Sequence, residues 1–380
     1  MTTAAPLDDR TAAAIREAMA AAMRGQVADA CAIGEQALSS GGDRVALNAM
    51  LGMLRCRAGE VDRGIEHLRL AHAARSADPV IVRNLAMALS DAGRSAEALE
   101  VLTPGVAATD STMALEKLRG QFAQAAESFD VAVAAYERVV VAKSEDWEAW
   151  NNLGNARRMT GDVAGALTAL RRADTLAPLS PPIEYNLALA CAAAGEIEES
   201  ERRLQAFADQ YPTDTRSLRE LHAILKEQTR EEDALAAISS AVERAPDDAE
   251  LSLALASQRL LLLDHVGAEA AYWSVIHKDP SNALANLGLA VTFELTNRTD
   301  RLTALIDEAE ARGADAEILA FIRALDARRG RRFEEGLVAL AQVPESLDTA
   351  RRAHLLGQLL DGAGRNDEAF SAFADRKSVV

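Results

Sequence analysis

Small and apolar residues return along this chain at spacings of three and four, broken by short polar turns. In the stretch opened by Asp146, Trp150, Leu153 and Gly154 follow that spacing, Thr160-Gly161-Asp162 interrupts it, and Ala166, Leu170 and Ala173 resume it up to Pro178. Such spacing gathers side chains on one face of an α-helix, and Gly or Pro at its end stops the helix. The stretch therefore predicts two helices joined by a tight turn and packed through their apolar faces. Pro178, Pro212, Pro246 and Pro280 stand 34 residues apart. Holding that register in both directions opens units at Thr11, Val45, Pro79, Met113, Trp147, Pro181, Thr215, Ala249 and Ala283, without insertion or deletion.

In this register position 8 reads Ala18, Gly52, Ala86, Gly120, Gly154, Ala188, His222, Ala256 and Ala290, and position 20 reads Ala30, Gly64, Ala98, Ala132, Ala166, Ser200, Ala234, Ala268 and Leu302. Two helix axes approach to about 8 Å only where the crossing residues are small. These positions are where each pair should cross, with His222 and Leu302 as exceptions. The expected filling is Leu51, Leu85, Leu153, Leu187, Leu221, Leu255 and Leu289 at position 7, with Leu68, Leu102, Tyr136, Leu170, Leu204, Ile238, Tyr272 and Ile306 at position 24. Gly25, Gly59, Gly93, Gly161 and Gly195 at position 15 are expected to end the first helix in the left-handed conformation.

The unit from Asp146 to Pro178 resembles the tetratricopeptide repeat at nearly every signature position. That resemblance implies an all-α fold, an α-solenoid of helix-turn-helix repeats wound into a right-handed superhelix and lined inside by the first helices. Residues 1–10 are read as a tail, 11–316 as nine units in strict register, and 317–374 as two less regular units. Gly330 to Gly336 is read as carrying one extra residue, and the tenth unit as closing early at Pro344. The eleventh resumes the pattern with Leu356-Gly357 and Gly364.

Positions 5, 9 and 12 of a first helix share one stripe, expected to face the concave groove and to hold a protein or peptide partner. Met19, Met53 and Met87 occupy position 9 of the first three units. They read either as an adaptable apolar strip for a partner or as packing residues. Further on the stripe turns polar and cationic, with Arg83, Lys117, Gln121, Asn151, Asn155 and Arg158 as candidate peptide-binding residues. Asn84, Asn152 and Asn186 make a broken asparagine ladder, interrupted by Leu118, similar to that of O-linked N-acetylglucosamine transferase. The clamp of chaperone-binding members is absent, since Tyr185 and Leu189 stand where it needs basic groups.

Composition narrows the function classes. The chain is 49% hydrophobic but only 4% aromatic, which favours helices over a large β-structure. A formal charge of −17 opposes nucleic acid and anionic lipid as partners. No apolar run approaches the roughly 18 residues of a membrane span, so a cytoplasmic protein is expected. Cys31, Cys56 and Cys191 lie far apart and read as core residues of a reducing compartment. The six histidines form no metal motif, no phosphate loop or nucleophile elbow is present, and neither catalytic centre nor cofactor is expected in this chain. Arg328-Arg329-Gly330-Arg331-Arg332 is the most basic stretch. It reads either as a seat for a phosphate or acidic peptide or as cations favoured at a helix C-terminus.

The segment Gly364-Arg365-Asn366-Asp367-Glu368-Ala369-Phe370, closed by Phe373, resembles the last repeat before the catalytic domain of bacterial tetratricopeptide-repeat sulfotransferases. That resemblance implies a following domain that binds PAPS and transfers its sulfuryl group. Residues 375–380 match the translation of a sequencing-adapter read-through, so a truncated gene is expected, with self-association through Phe370 and Phe373. The alternatives are a stand-alone interaction scaffold and the repeat arm of a glycosyltransferase.

Overall fold

A computed structural model describes residues 8–344 and 349–375. All regular structure among them is helical. The chain divides into two compact units, residues 1–203 and 204–380, the boundary falling inside the helix Ile197–Gln210. Each unit is a stack of antiparallel helix pairs, an α-solenoid. Of the expected tail at 1–10, residues 1–7 lie outside the described residues, and the rest is corrected: Asp8 caps the helix Asp9–Met23, so the first helix starts inside the supposed tail. Of the read-through segment at 375–380, Asp375 still belongs to the helix Asn366–Asp375 and residues 376–380 lie outside the described residues.

First helices begin where the register puts them. Pro79–Asp91, Trp147–Met159, Pro181–Ala193, Ala249–Leu261 and Ala283–Leu295 start on the expected residue, and Arg44–Arg57, Ala114–Ala125 and Arg216–Glu227 within one. The residue before the helix explains the sharpness. Asp78, Asp146, Asp248 and Asn282 accept hydrogen bonds from amides of the first turn, which satisfies donors that the helix leaves open. Asp162 and Asp264 cap the second helices Val163–Leu176 and His265–Ile276 in the same way.

The crossings are as close as the small residues require. A Cβ on Gly154 would lie 2.5 Å from Leu170 Cγ, and one on Gly120 would lie 2.6 Å from the Tyr136 ring. The leucines at position 7 and the residues at position 24 up to Tyr272 are buried, and Ile306 is partly so. His222 fits at its crossing through polar contacts. Its Nε2 lies 3.3 Å from Gln258 Oε1, and the Gln258 amide donates to the backbone oxygen and the carboxylate of Glu231 at 3.0 and 2.8 Å.

The turn between the two helices is more regular than its sequence. Gly25, Gly59, Gly93, Gly161 and Gly195 have positive φ as expected, and so do Glu127, Thr229, Leu263, Asn297 and Arg331 at the same position of other pairs. Arg331 stands 34 residues after Asn297, so the tenth turn holds the register and carries no extra residue. The expectation of an insertion there is corrected: Gly330 attracts attention as a turn glycine, but it caps the helix Ala316–Arg329 with φ −75° and Arg331 takes the left-handed place.

The third pair departs from the pattern. Its second helix stops after Ser95–Val101, and a short turn Pro104–Ala107 follows, capped by the Thr103 hydroxyl. Pro104 lacks the amide a continuous helix needs, and its ring would meet the carbonyl of residue 100.

Candidate functional site

The candidate stripe residues of the first unit stand on five first helices, and their groups differ in how much they are already engaged. Met19 and Met87 are exposed at 37% and 42%. Met53, half-buried between them, is tied to the next pair through its Sδ, which accepts from Asn84 Nδ2 at 3.0 Å. Arg83 is exposed, its guanidinium 3.5 Å from Asn84 Oδ1, and Gln121 is exposed.

Lys117 is half-buried, and its ammonium meets both oxygens of Asp146 at 3.0 Å and Glu148 at 2.6 Å. Burial works against its charge, but these bonds outweigh it and hold its pKa above the ordinary lysine value. Asp146 also caps the next first helix, accepting from the Ala149 amide at 3.0 Å. Lys117 thus joins the fourth pair to the fifth. Arg219 makes the same contacts three repeats on, to Asp248 and Glu250 at 3.1 Å each.

Asn151 is 5% exposed. Its oxygen accepts from Asn186 Nδ2 at 3.0 Å and its amide donates to Asn152 Oδ1 at 3.3 Å. Asn155 accepts from the Arg158 guanidinium at 3.1 Å. The structure thus gathers Asn151, Asn152 and Asn186 into one cluster and pairs Asn155 with Arg158. It leaves Arg83, Gln121, Met19 and Met87 presenting side chains to solvent.

The second unit holds a cleft of about 490 Å³ between its first helices Ala283–Leu295, Ala316–Arg329 and Thr349–Gly362. Val291, Leu325 and Gln358 line its wall together with Phe321 and Leu355, and its charged groups are Glu294, Arg328, Arg329 and Arg351. Arg328 is ion-paired with Glu294 and donates to Gln358 Oε1 at 2.9 Å. Arg329 donates to the Glu294 backbone oxygen at 2.6 Å, with its Nε 3.6 Å from the Glu294 carboxylate. The sequence pointed to Arg328 and Arg329 only as part of a basic run. Their placement in one cleft with Arg351 and His354 comes from stacking, and the recurring stripe positions could have pointed only to Arg328 and His354, at positions 12 and 5.

One group of metal-capable side chains converges among the described residues, Cys191, Glu196 and Glu199, with ligand atoms within 4.8 Å of one another. Burial and the neighbouring carboxylates push the Cys191 thiol up to about 11, so it stays protonated near neutrality. Both carboxylates are engaged, Glu196 by Arg171 at 2.6 Å and Glu199 by Arg203 at 2.9 Å. No helix among the described residues is long and apolar enough to cross a membrane.

Sequence-family profiles described as tetratricopeptide repeat match residues 117–181, and residues 79–102 and 182–206. The chain is similar to the BBSome complex member BBS4 of Bos taurus, 25% identical over 261 residues, which is 69% of this chain and 43% of that protein. It is also similar to BBS4 of Mus musculus, 27% identical over 191 residues, 50% of this chain and 30% of that protein. It therefore spans less than half the length of these curated relatives. Among solved structures, yeast Tom70 is 15% identical at a TM-score of 0.43, covering 97% of this chain and 92% of that one. The C-terminal part of a repeat protein from Cytophaga hutchinsonii is 16% identical at 0.47, covering 63% and 99%. Residues 79–102 and 117–206 of this chain carry tetratricopeptide repeats.

Proposed function

We propose that this chain is a protein-interaction scaffold that holds partner polypeptides along the exposed stripe of its first helices. The observation that carries the reading is the exposure of Met19, Arg83, Met87 and Gln121 at recurring positions 5 and 9 of successive repeats. Adaptable thioethers beside a guanidinium and an amide suit a peptide's side chains and backbone. In this reading Lys117, Asn151, Asn155 and Arg158 shape the wall, because their polar groups are engaged by neighbouring repeats or by one another. The curated relatives are named as members of a complex, which accords with a binding role. A photo-crosslinking residue placed at Met87 or Gln121 in cells should capture a defined partner, and the same residue at exposed Val141 on a second helix should not. Equal yields at both places would sink the reading.

A second reading is favoured by Gly364 to Phe373: the chain as the repeat region of a sulfotransferase fusion, holding an acceptor beside a following PAPS-binding domain. Genomic DNA downstream of the codon for Ala374 tests it. A PAPS loop supports it, a stop favours a stand-alone adaptor, and a long nucleotide-sugar domain favours a glycosyltransferase.

A further inference from the structure

We propose that Cys191, Glu196 and Glu199 bind one zinc ion, which joins the first helix Pro181–Ala193 to the second helix Ile197–Gln210 across the turn of the sixth pair. The register shows how this turn differs from the others. Position 16 is acidic in four of the nine strict units, as Glu60, Asp162, Glu196 and Asp264. In three of them position 11 supplies an arginine to that carboxylate: Arg55 to Glu60 at 2.7 Å, Arg157 to Asp162 at 3.7 Å and Arg259 to Asp264 at 3.7 Å. The sixth pair has Cys191 at position 11. A thiol brings no positive charge of its own, but as a thiolate it ligates a metal ion that does.

The geometry supports the ion. Ligand atoms of Cys191 and the two carboxylates lie within 4.8 Å of one another. Tetrahedral zinc sets such atoms roughly 3.5 Å apart, a closing that rotation of the two half-buried glutamates covers. Glu196, Glu199 and Ser200 share one face of the second helix, at i, i+3 and i+4. On that face the Ser200 hydroxyl is fully buried and has no hydrogen-bond partner. A buried hydroxyl left in that state is costly, and a water in the fourth zinc position would pair with it.

The guanidiniums already present are compatible with the ion. Arg171 donates to Glu196 Oε2 at 2.6 Å and Arg203 to Glu199 Oε1 at 2.9 Å, so each bond uses one oxygen of a group that has two. Hydrogen bonds of this kind orient metal-ligating carboxylates. Burial first, then Glu199 and Glu196, keep the proton on the Cys191 thiol. The two carboxylates would hold a dication in that proton's place, so binding forms a zinc–sulfur bond and releases one proton to water. A sulfur ligand favours zinc over magnesium or calcium.

The test is titration of the chelator-stripped full chain with zinc against a chromophoric chelator, and with cobalt as a spectroscopic probe of sulfur ligation. The arms are Cys191→Ala, Cys191→Arg, Glu199→Gln and, as a cysteine outside the cluster, Cys31→Ala, each checked for helical content by circular dichroism. The expected result is one zinc per chain and a thiolate-to-cobalt charge-transfer band. Cys191→Ala should weaken zinc about tenfold or more and remove the band, and Cys31→Ala should change neither. Glu199→Gln should weaken zinc and keep the band. Cys191→Arg puts back the residue of the other acidic turns, and it should fold without binding zinc. No binding tighter than about 10 μM, a cobalt complex without the thiolate band, or equal affinity in folded Cys191→Ala would overturn the proposal. The Met87 and Gln121 crosslinks report separately on the scaffold reading, so the zinc site can fail while that reading stands.

Discussion

Gly52 and Gly64 face each other across the second helix pair with no room for a methyl group on either. A Cβ on Gly52 would lie 2.9 Å from the Gly64 carbonyl oxygen, and one on Gly64 would lie 2.8 Å from that of Gly52. Most other pairs carry alanine at position 20, so Gly64→Ala restores the common residue, yet it should destabilise. The new Cβ would also lie 2.3 Å from Cys56 Sγ. Overpacking of this kind costs about 1–3 kcal/mol. Adding Cys56→Ala should recover part of the loss, because the Gly52 carbonyl remains in the way. Urea unfolding of the two variants decides it, and a neutral Gly64→Ala would show that the helices separate freely.

The turn ladder predicts a stabilising change. Leu263 holds φ +59° where Gly161 stands in the corresponding turn of another pair, and its side chain is 74% exposed. The left-handed conformation costs a non-glycine residue about 1–2 kcal/mol, and an exposed side chain recovers little of this. Leu263→Gly should raise the thermal midpoint. Gly161→Leu should lower it by a similar amount, although nothing lies within 4 Å of its new Cβ. A fall on Leu263→Gly would mean that the leucine has a packing role in solution.

Arg119 occupies position 7, where the other buried ladder residues are leucines. It is 8% exposed, its Nε has no hydrogen-bond partner, and its nearest carboxylate, Glu116, is 4.0 Å away and already ion-paired with Arg138. Burial, opposed by Glu116, draws its pKa below the ordinary arginine value. A buried charge so weakly compensated is expected to be replaceable by hydrocarbon at a gain of about 1–4 kcal/mol. Arg119→Leu should therefore unfold at a higher urea concentration, and a lower midpoint would refute the account.

Two histidines make stability depend on mild acid. His67 sits with its Nδ1 2.7 Å from Asn48 Oδ1, and burial, then Arg55, lowers its pKa against the opposing Glu35 and Glu66. Burial lowers that of His222 as well, opposed by the Gln258 bond, with Lys226 lowering it and Glu231 raising it. Unfolding releases each to the ordinary value of 6.5, so the unfolded chain binds more protons below it. Their contribution is complete above that pH and is lost as pH falls towards the folded values, at no more than about 1.4 kcal/mol per pH unit for each. Melting between pH 7.5 and 5.5 should show the decline, and His67→Gln with His222→Gln should flatten it. An unchanged slope in the double variant would assign the effect elsewhere.

Much of the fold was legible because each pair repeats a local rule. Gly161 as the turn and Gly154 as the small residue at the crossing are both decided within one unit. The candidate site was less legible. Lys117 was visible as a cation on the stripe, but its carboxylates Asp146 and Glu148 belong to the next pair, and the same contacts of Arg219 with Asp248 and Glu250 were a signal that register alone could have supplied.

The sequence by itself determined the helix pairs, their 34-residue register and the residues at their crossings, since these follow from side-chain size and spacing within a short stretch. Only the tertiary structure decided which polar groups are already engaged and which face solvent, and that Arg328 and Arg329 share one carboxylate beside Arg351. Those relations lie between neighbouring pairs, where the distance between side chains is set by how the helices stack and not by their separation along the chain.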